Sequence, residues 1–173
     1  NTWAYNDGNA MYTQDKSNAA DDWLIAPAVT LEAGKAYKVS AYVKHSSTFG
    51  SDKQKIELKI GTAPTVEGLT TRLVYDESFQ SRLFVEKSGT FSPAESGVFY
   101  VGLRCYSESY NGDLYFQKIV IEEAPVYPAQ ITDLSIVAGE RGAMSATLSW
   151  TWPSSDHLGG ALSNLLGAKI YRG

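Results

Sequence analysis

Three aspartates, Asp7, Asp21 and Asp22, are the residues of this chain whose type and surroundings best suit metal binding. Asp7 lies in the stretch Asn6-Asp7-Gly8-Asn9, and the other two stand directly before Trp23. A hard cation such as calcium takes several carboxylate or carbonyl oxygens at once, so each cluster is a candidate structural calcium site near the ends of the first domain. Neither has the alternating acidic spacing of an EF-hand loop. Asp, Asn and Gly also build turns and strand entries without any metal, because their side chains bond to nearby backbone or tolerate positive φ. Both readings stand at this level.

A second set is aromatic. Tyr42, Tyr100, Tyr106 and Tyr110, with Arg104, are the candidate ligand-binding residues, and Trp3, Tyr5 and Tyr12 extend the series. An outward Tyr or Trp can stack on a sugar ring or anchor a protein interface. Arg104 falls on the same predicted strand face as Tyr100 and Tyr106. The alternative is that these rings form cross-strand pairs on a half-covered sheet. Trp23 and Trp150 are expected in the core, where Trp is usually packed.

Catalytic constellations are scarce. The two histidines are His45, expected at a strand end, and His157, in the polar stretch 154–160, and both read as surface imidazoles with no positioned partner. Cys105 is the single cysteine, which excludes an intrachain disulfide, and its apolar strand makes it a small buried hydrophobe. No zinc-protease, nucleophile-elbow, phosphate-loop or dinucleotide motif occurs. A pair of carboxylates brought together in space would escape such a search, yet nothing positions an acid and a nucleophile. The expectation is a chain with no catalytic residues and no enzyme activity. With 15 Lys and Arg against 19 Asp and Glu the net charge is −4, which speaks against nucleic acid as a partner. No run approaches the ~18 apolar residues of a membrane span.

Strands must position these groups. Over residues 36–44, Tyr37, Val39, Ala41 and Val43 alternate with Lys38, Ser40, Tyr42 and Lys44, which predicts a strand with one buried face. Pro27 confines the preceding apolar piece to an edge, a strand start or a bulge. Gly34 then supplies a turn, and the two pieces together read as an antiparallel pair. Further strands are expected at 55–60, 70–75, 82–86, 98–106 and 114–121, separated by Gly, Pro, Ser and Asn clusters. In the last of these the apolar parity switches between Leu114, Phe116 and Ile119, Ile121, so a bulge is expected near Gln117-Lys118. Many short strands with turn-rich spacing predict an all-β sandwich.

Asp21 through Val43, DDWLIAPAVTLEAGKAYKVSAYV, resembles the core of the Bacteroidetes-type cleaved-adhesin, or choice-of-anchor J, family. The resemblance runs over residues 1–123 and implies a jelly roll that is secreted or displayed at the cell surface. It further implies a non-catalytic module for adhesion or for binding a glycan or an extracellular protein. The family commonly has an acidic pair where this chain has Gln117 and Lys118, which weakens a metal site carried over from it. Residues 124–130, with two prolines, read as a linker. Residues 131–173 resemble the first three strands of a fibronectin type III domain, an immunoglobulin-like sandwich, at 131–137, 146–152 and 167–172. That fold has about seven strands, so the protein is expected to continue past Gly173 and to have part of a first strand before Asn1. Two other roles fit the same residues: an accessory domain of a larger secreted protease or glycoside hydrolase, or a purely structural stalk.

Overall fold

The computed structural model describes residues 2–13, 17–47, 52–157, 159–162 and 165–171. The chain divides into two compact units, Asn1–Ala124 and Pro125–Gly173.

The first unit is an all-β jelly-roll sandwich. Its strands are β1 (Thr2–Asn6), β2 (Asn9–Thr13), β3 (Asp22–Ile25), β4 (Val29–Leu31), β5 (Ala36–His45), β6 (Gln54–Gly61), β7 (Thr71–Phe79), β8 (Val85–Phe91), β9 (Gly97–Cys105) and β10 (Leu114–Ala124). One sheet has the order β1-β2-β10-β5-β8; the other has β3-β9-β6-β7, with β4 also on β9. All pairings are antiparallel. Alternation places Val39, Ala41 and Val43 of β5 opposite Ile56, Leu58 and Ile60 of β6, with Val101 and Leu103 of β9, in one core from which water is almost wholly excluded. Each buried Val, Leu or Ile among them contributes about 1.5–3 kcal/mol.

The antiparallel pair expected around Gly34 does not form. β4 bonds to β9, while β5 lies between β10 and β8 in the facing sheet. Gly34 does take the positive φ of a turn, 78°, but the turn carries the chain from one sheet to the other. Alternation fixes which face is buried; it does not name the hydrogen-bonding neighbour, and Leu31 and Val39 reach the same core from opposite sides. The strand expected at 82–86 begins later, at Val85, and runs through Gly89. Ser88-Gly89 resembles a turn, yet a Cβ at Gly89 would lie 2.5 Å from the Leu73 carbonyl oxygen, so glycine is needed there for a close approach. The bulge in β10 is present between Phe116 and Lys118.

His45 is buried, at 1% exposure, rather than a surface imidazole. Its Nε2 meets the Asn111 carbonyl, which also accepts from Gln54 Nε2 at 3.0 Å. Gln54 Oε1 in turn accepts from Ser107 Oγ at 2.5 Å and from Cys105 Sγ at 3.2 Å. This polar network ties down the connection from β9 to β10, where a buried group without a bond would be costly. Cys105 is buried as expected, and burial pushes its thiol up to about 11.

In the second unit β11 (Ser135–Ala138) and β12 (Ala146–Ser149) form one antiparallel hairpin. Residues 167–171 form no strand; Arg172 lies outside the described residues. Ile136, Val137, Ile170 and Tyr171 are exposed, so the described part of this unit encloses no core to hold a third strand in place. Trp150 is half-buried and packs edge-on against Trp152, with ring centroids 5.6 Å apart.

Candidate functional site

The outward side of the β3-β9-β6-β7 sheet carries a connected set of charged and aromatic groups. It follows from what the core takes. Ile56, Leu58 and Ile60 turn Glu57, Lys59 and Gly61 outward on β6; Val101, Leu103 and Cys105 turn Tyr100, Gly102, Arg104 and Tyr106 outward on β9. Register then aligns Trp23 with Arg104, Arg104 with Glu57, and Glu57 with Tyr75, a row across all four strands.

Glu57 is the centre of this row and is only 1% exposed. Arg72 Nε donates to its Oε1 at 2.6 Å, Arg104 Nη1 to its Oε2 at 3.3 Å, and Lys59 Nζ lies 3.7 Å from Oε1. A carboxylate excluded from water is tolerable only with such partners. Arg104 Nε also donates to Asp21 Oδ1 at 2.6 Å. That bond holds the Asp21 carboxyl below its ordinary range and raises the Arg104 guanidinium.

The rings pack against these cations. The Arg72 guanidinium lies 4.5 Å from the Tyr75 ring centroid; that of Arg104 lies 5.0 Å from Tyr106 and 5.6 Å from Trp23. Tyr75 and Tyr106 stack at 5.9 Å with 24° between planes. Burial pushes the Tyr106 phenol upward. Each cation–ring contact is worth about 0.5–1 kcal/mol at an exposed site and fixes a side chain that would otherwise sample many rotamers.

Two glycines shape one end of the face. A Cβ at Gly61 would lie 1.8 Å from the Gly68 carbonyl oxygen, and one at Gly102 would lie 2.3 Å from Leu69 Cδ1 and 3.1 Å from the Trp23 ring. The connection from β6 to β7 therefore folds back onto the sheet, with Leu69 buried against Gly102 beside Trp23.

The predicted ligand-binding residues divide among three places. Tyr100 and Arg104 share the outward side of β9, and Tyr106 follows directly after the strand, its ring against the Arg104 guanidinium. Tyr42 is on the outward side of the other sheet, under Lys118 Nζ at 4.7 Å. Tyr110, 67% exposed with φ 65°, sits in the connection from β9 to β10. Trp23 is a correction: it is half-buried on the outward face rather than in the core, because its strand partner is Arg104. Glu57, Arg72 and Tyr75 were not singled out from the sequence. Alternation around Glu57 marks it as outward and so as solvated, and only long-range register brings the arginines to it.

The three aspartates do not share a site. Asp7 and Gly8, with φ 45° and 78°, make the two-residue turn between β1 and β2, where Asn9 Nδ2 donates to the Asp7 carbonyl at 2.9 Å. Asp21 is held by Arg104, and Asp22 Oδ2 accepts from the Tyr12 hydroxyl at 3.1 Å. Among the described residues no three His, Cys, Asp or Glu side chains form a group that could hold a metal ion. Among the described residues no helix is long and apolar enough to cross a membrane.

An apolar cavity of about 560 Å³ opens between the two sheets, lined by Leu24, Ile25, Pro27, Phe116, Ile119 and Ile121. Lys118 also borders it, but its ammonium is turned to the Tyr42 ring on the outward side. Among the described residues that line it, no polar side-chain group is thereby aimed inward to orient a ligand, which binding sites ordinarily supply.

No protein-family model matches the chain, and no curated protein matches it. Among solved structures, the K1 cleaved adhesin domain of Lys-gingipain (Kgp) from Porphyromonas gingivalis W83 superposes with TM-score 0.51 at 12% identity, over 68% of this chain and 75% of that one. The K3 cleaved adhesin domain of the same protein gives 0.48 at 10% identity, over 66% and 72%. The EclA C-terminal domain, described as a sugar-binding protein, gives 0.49 at 16% identity, over 70% and 83%. The first of these establishes a shared jelly-roll fold, in line with the expectation from residues 1–123.

Proposed function

We propose that the first unit is a non-catalytic adhesion and carbohydrate-binding module, secreted or displayed at the cell surface, and that it binds through the outward side of the β3-β9-β6-β7 sheet. The observation that carries this reading is the row Trp23, Arg104, Glu57 and Tyr75, with Tyr106 stacked on Tyr75. Tyr and Trp rings supply apolar area for the C–H faces of a sugar ring, and guanidinium groups supply fixed donors for its oxygens. Because Glu57 and the rings hold the arginines before any ligand arrives, little side-chain entropy remains to be lost on binding. The jelly-roll fold shared with an adhesin domain is compatible with this role, and the residues of the face support it.

The test is an array of glycans and extracellular matrix proteins probed with the intact chain. Binding to a defined set of glycans, abolished by soluble ligand, is the expected result. Retention of matrix proteins alone would replace the carbohydrate reading with a protein-binding one, and no retention at all would reject both.

A further inference from the structure

The charges on this face are segregated along the strands. Toward the Leu69 end stand Arg72 and Lys59, paired with each other in register. In the middle lies the buried Glu57 with Arg104. At the opposite end Lys55 pairs with Glu108 at 2.9 Å, the Glu77 carboxylate accepts from the Tyr75 hydroxyl at 2.9 Å, and Asp21 takes Arg104. Of the groups named, the acids other than Glu57 thus sit at one end with Lys55, while Arg72 and Lys59 stand at the other without an acid beyond Glu57 paired to them.

Arg72 is also held in a particular way. Its Nε is bonded to Glu57 and its guanidinium lies over the Tyr75 ring, yet its side chain is 56% exposed. Among the described residues its two Nη nitrogens make no hydrogen bond. A guanidinium has five N–H donors in one plane, so one edge is anchored and the remaining fork is open to solvent. Lys59 Nζ lies beside it, near the same carboxylate oxygen that Arg72 bonds. An anchored fork with a second cation alongside matches the two oxygens of a carboxylate or sulfate better than a single hydroxyl.

We propose that the face selects acidic glycans, with a carboxylate or sulfate group of the chain received by Arg72 and Lys59. This rests on the carbohydrate reading above and adds the ligand class. Successive sugar rings would then lie along the row from Tyr75 to Trp23, and the acid group at the Leu69 end. A ligand of this kind neutralises the exposed cations without disturbing Glu57.

Calorimetric titration of the intact chain at low salt compares polygalacturonate with neutral galactan, and dextran sulfate with dextran. The expected result is at least ~10-fold tighter binding of one acidic member than its neutral counterpart, weakening as salt is raised. Which pair shows the difference distinguishes carboxylate from sulfate. Arg72→Lys keeps a cation opposite Glu57 and removes the fork, and Lys59→Gln leaves both arginines in place. Each is expected to reduce the acidic preference several-fold while the melting temperature, measured in parallel, stays close to the parent. If neutral glycans bind as tightly as acidic ones, or if folded Arg72→Lys and Lys59→Gln proteins both keep the full preference, the acidic inference fails and the carbohydrate reading stands. If no glycan of either class binds here or on the array, both fall.

Discussion

The Nε of Arg72 lies 2.6 Å from Oε1 of Glu57, a carboxylate with 1% of its surface exposed. One strand pairing separates them, and 15 positions of sequence. Arg104, from the strand on the other side, reaches the second oxygen of the same group. Glu57 therefore acts as the hub that sets both guanidinium planes, and the Trp23, Tyr75 and Tyr106 rings each lie against one of those planes.

Replacing the hub is the first consequence. Glu57→Gln leaves Arg72, Arg104 and Lys59 facing one another without their common counter-charge. Breaking a buried pair costs 3–5 kcal/mol, and the arginines' access to solvent puts this case near the low end, roughly 3 kcal/mol. Urea denaturation of the intact chain measures it; a loss under ~1 kcal/mol would mean that the cluster is held by ring packing instead.

The Asp21–Arg104 bond carries a pH signature. The folded pKa of Asp21 lies below its ordinary value of 3.8, chiefly through the Arg104 hydrogen bond. The bond's stabilisation is therefore complete above 3.8 and disappears as the pH falls through the lowered value. Asp21 is 63% exposed, so the amount is small, about 0.2–1 kcal/mol. In acid titrations of stability, Asp21→Asn should lie below the parent at pH 6 and converge with it in strong acid; a constant offset at all pH values would assign the loss to packing.

Gly61→Ala tests the end of the face nearest Leu69. The new methyl carbon would lie 1.8 Å from the Gly68 carbonyl oxygen, a backbone atom, so the connection from β6 to β7 must lift off the sheet. Overpacking of this kind costs about 1–3 kcal/mol. Hydrogen exchange should show faster exchange over residues 62–70 with the remainder of the sheet unchanged. Unaltered protection there would contradict the packing described.

Much of the framework was legible because alternation is a local signal. The inward residues of β5, β6 and β9 follow from parity alone, and the β10 bulge from the switch between Phe116 and Ile119. Partner strands were not legible. The segment around Gly34 reads as a hairpin by every local sign, yet its two arms join different sheets. Trp23 reads as a core residue until register sets Arg104 opposite it. The site shares this limit: Arg104 and Tyr106 are found from β9 by themselves, whereas Glu57, Arg72 and Tyr75 acquire meaning only through register. His45 reads as exposed at a strand end until the β9–β10 connection folds over it.

The central claim is that ligand binds the outward side of β3-β9-β6-β7 and not the opposite sheet. The most direct measurement is the affinity for a glycan retained on the array, compared between Tyr75→Ala, Tyr106→Ala and Tyr42→Ala. The first two should each weaken binding ~10-fold or more, about 1.4 kcal/mol, while Tyr42→Ala on the other sheet leaves it within twofold. Loss of affinity in Tyr42→Ala with Tyr75→Ala and Tyr106→Ala unaffected would contradict the assignment.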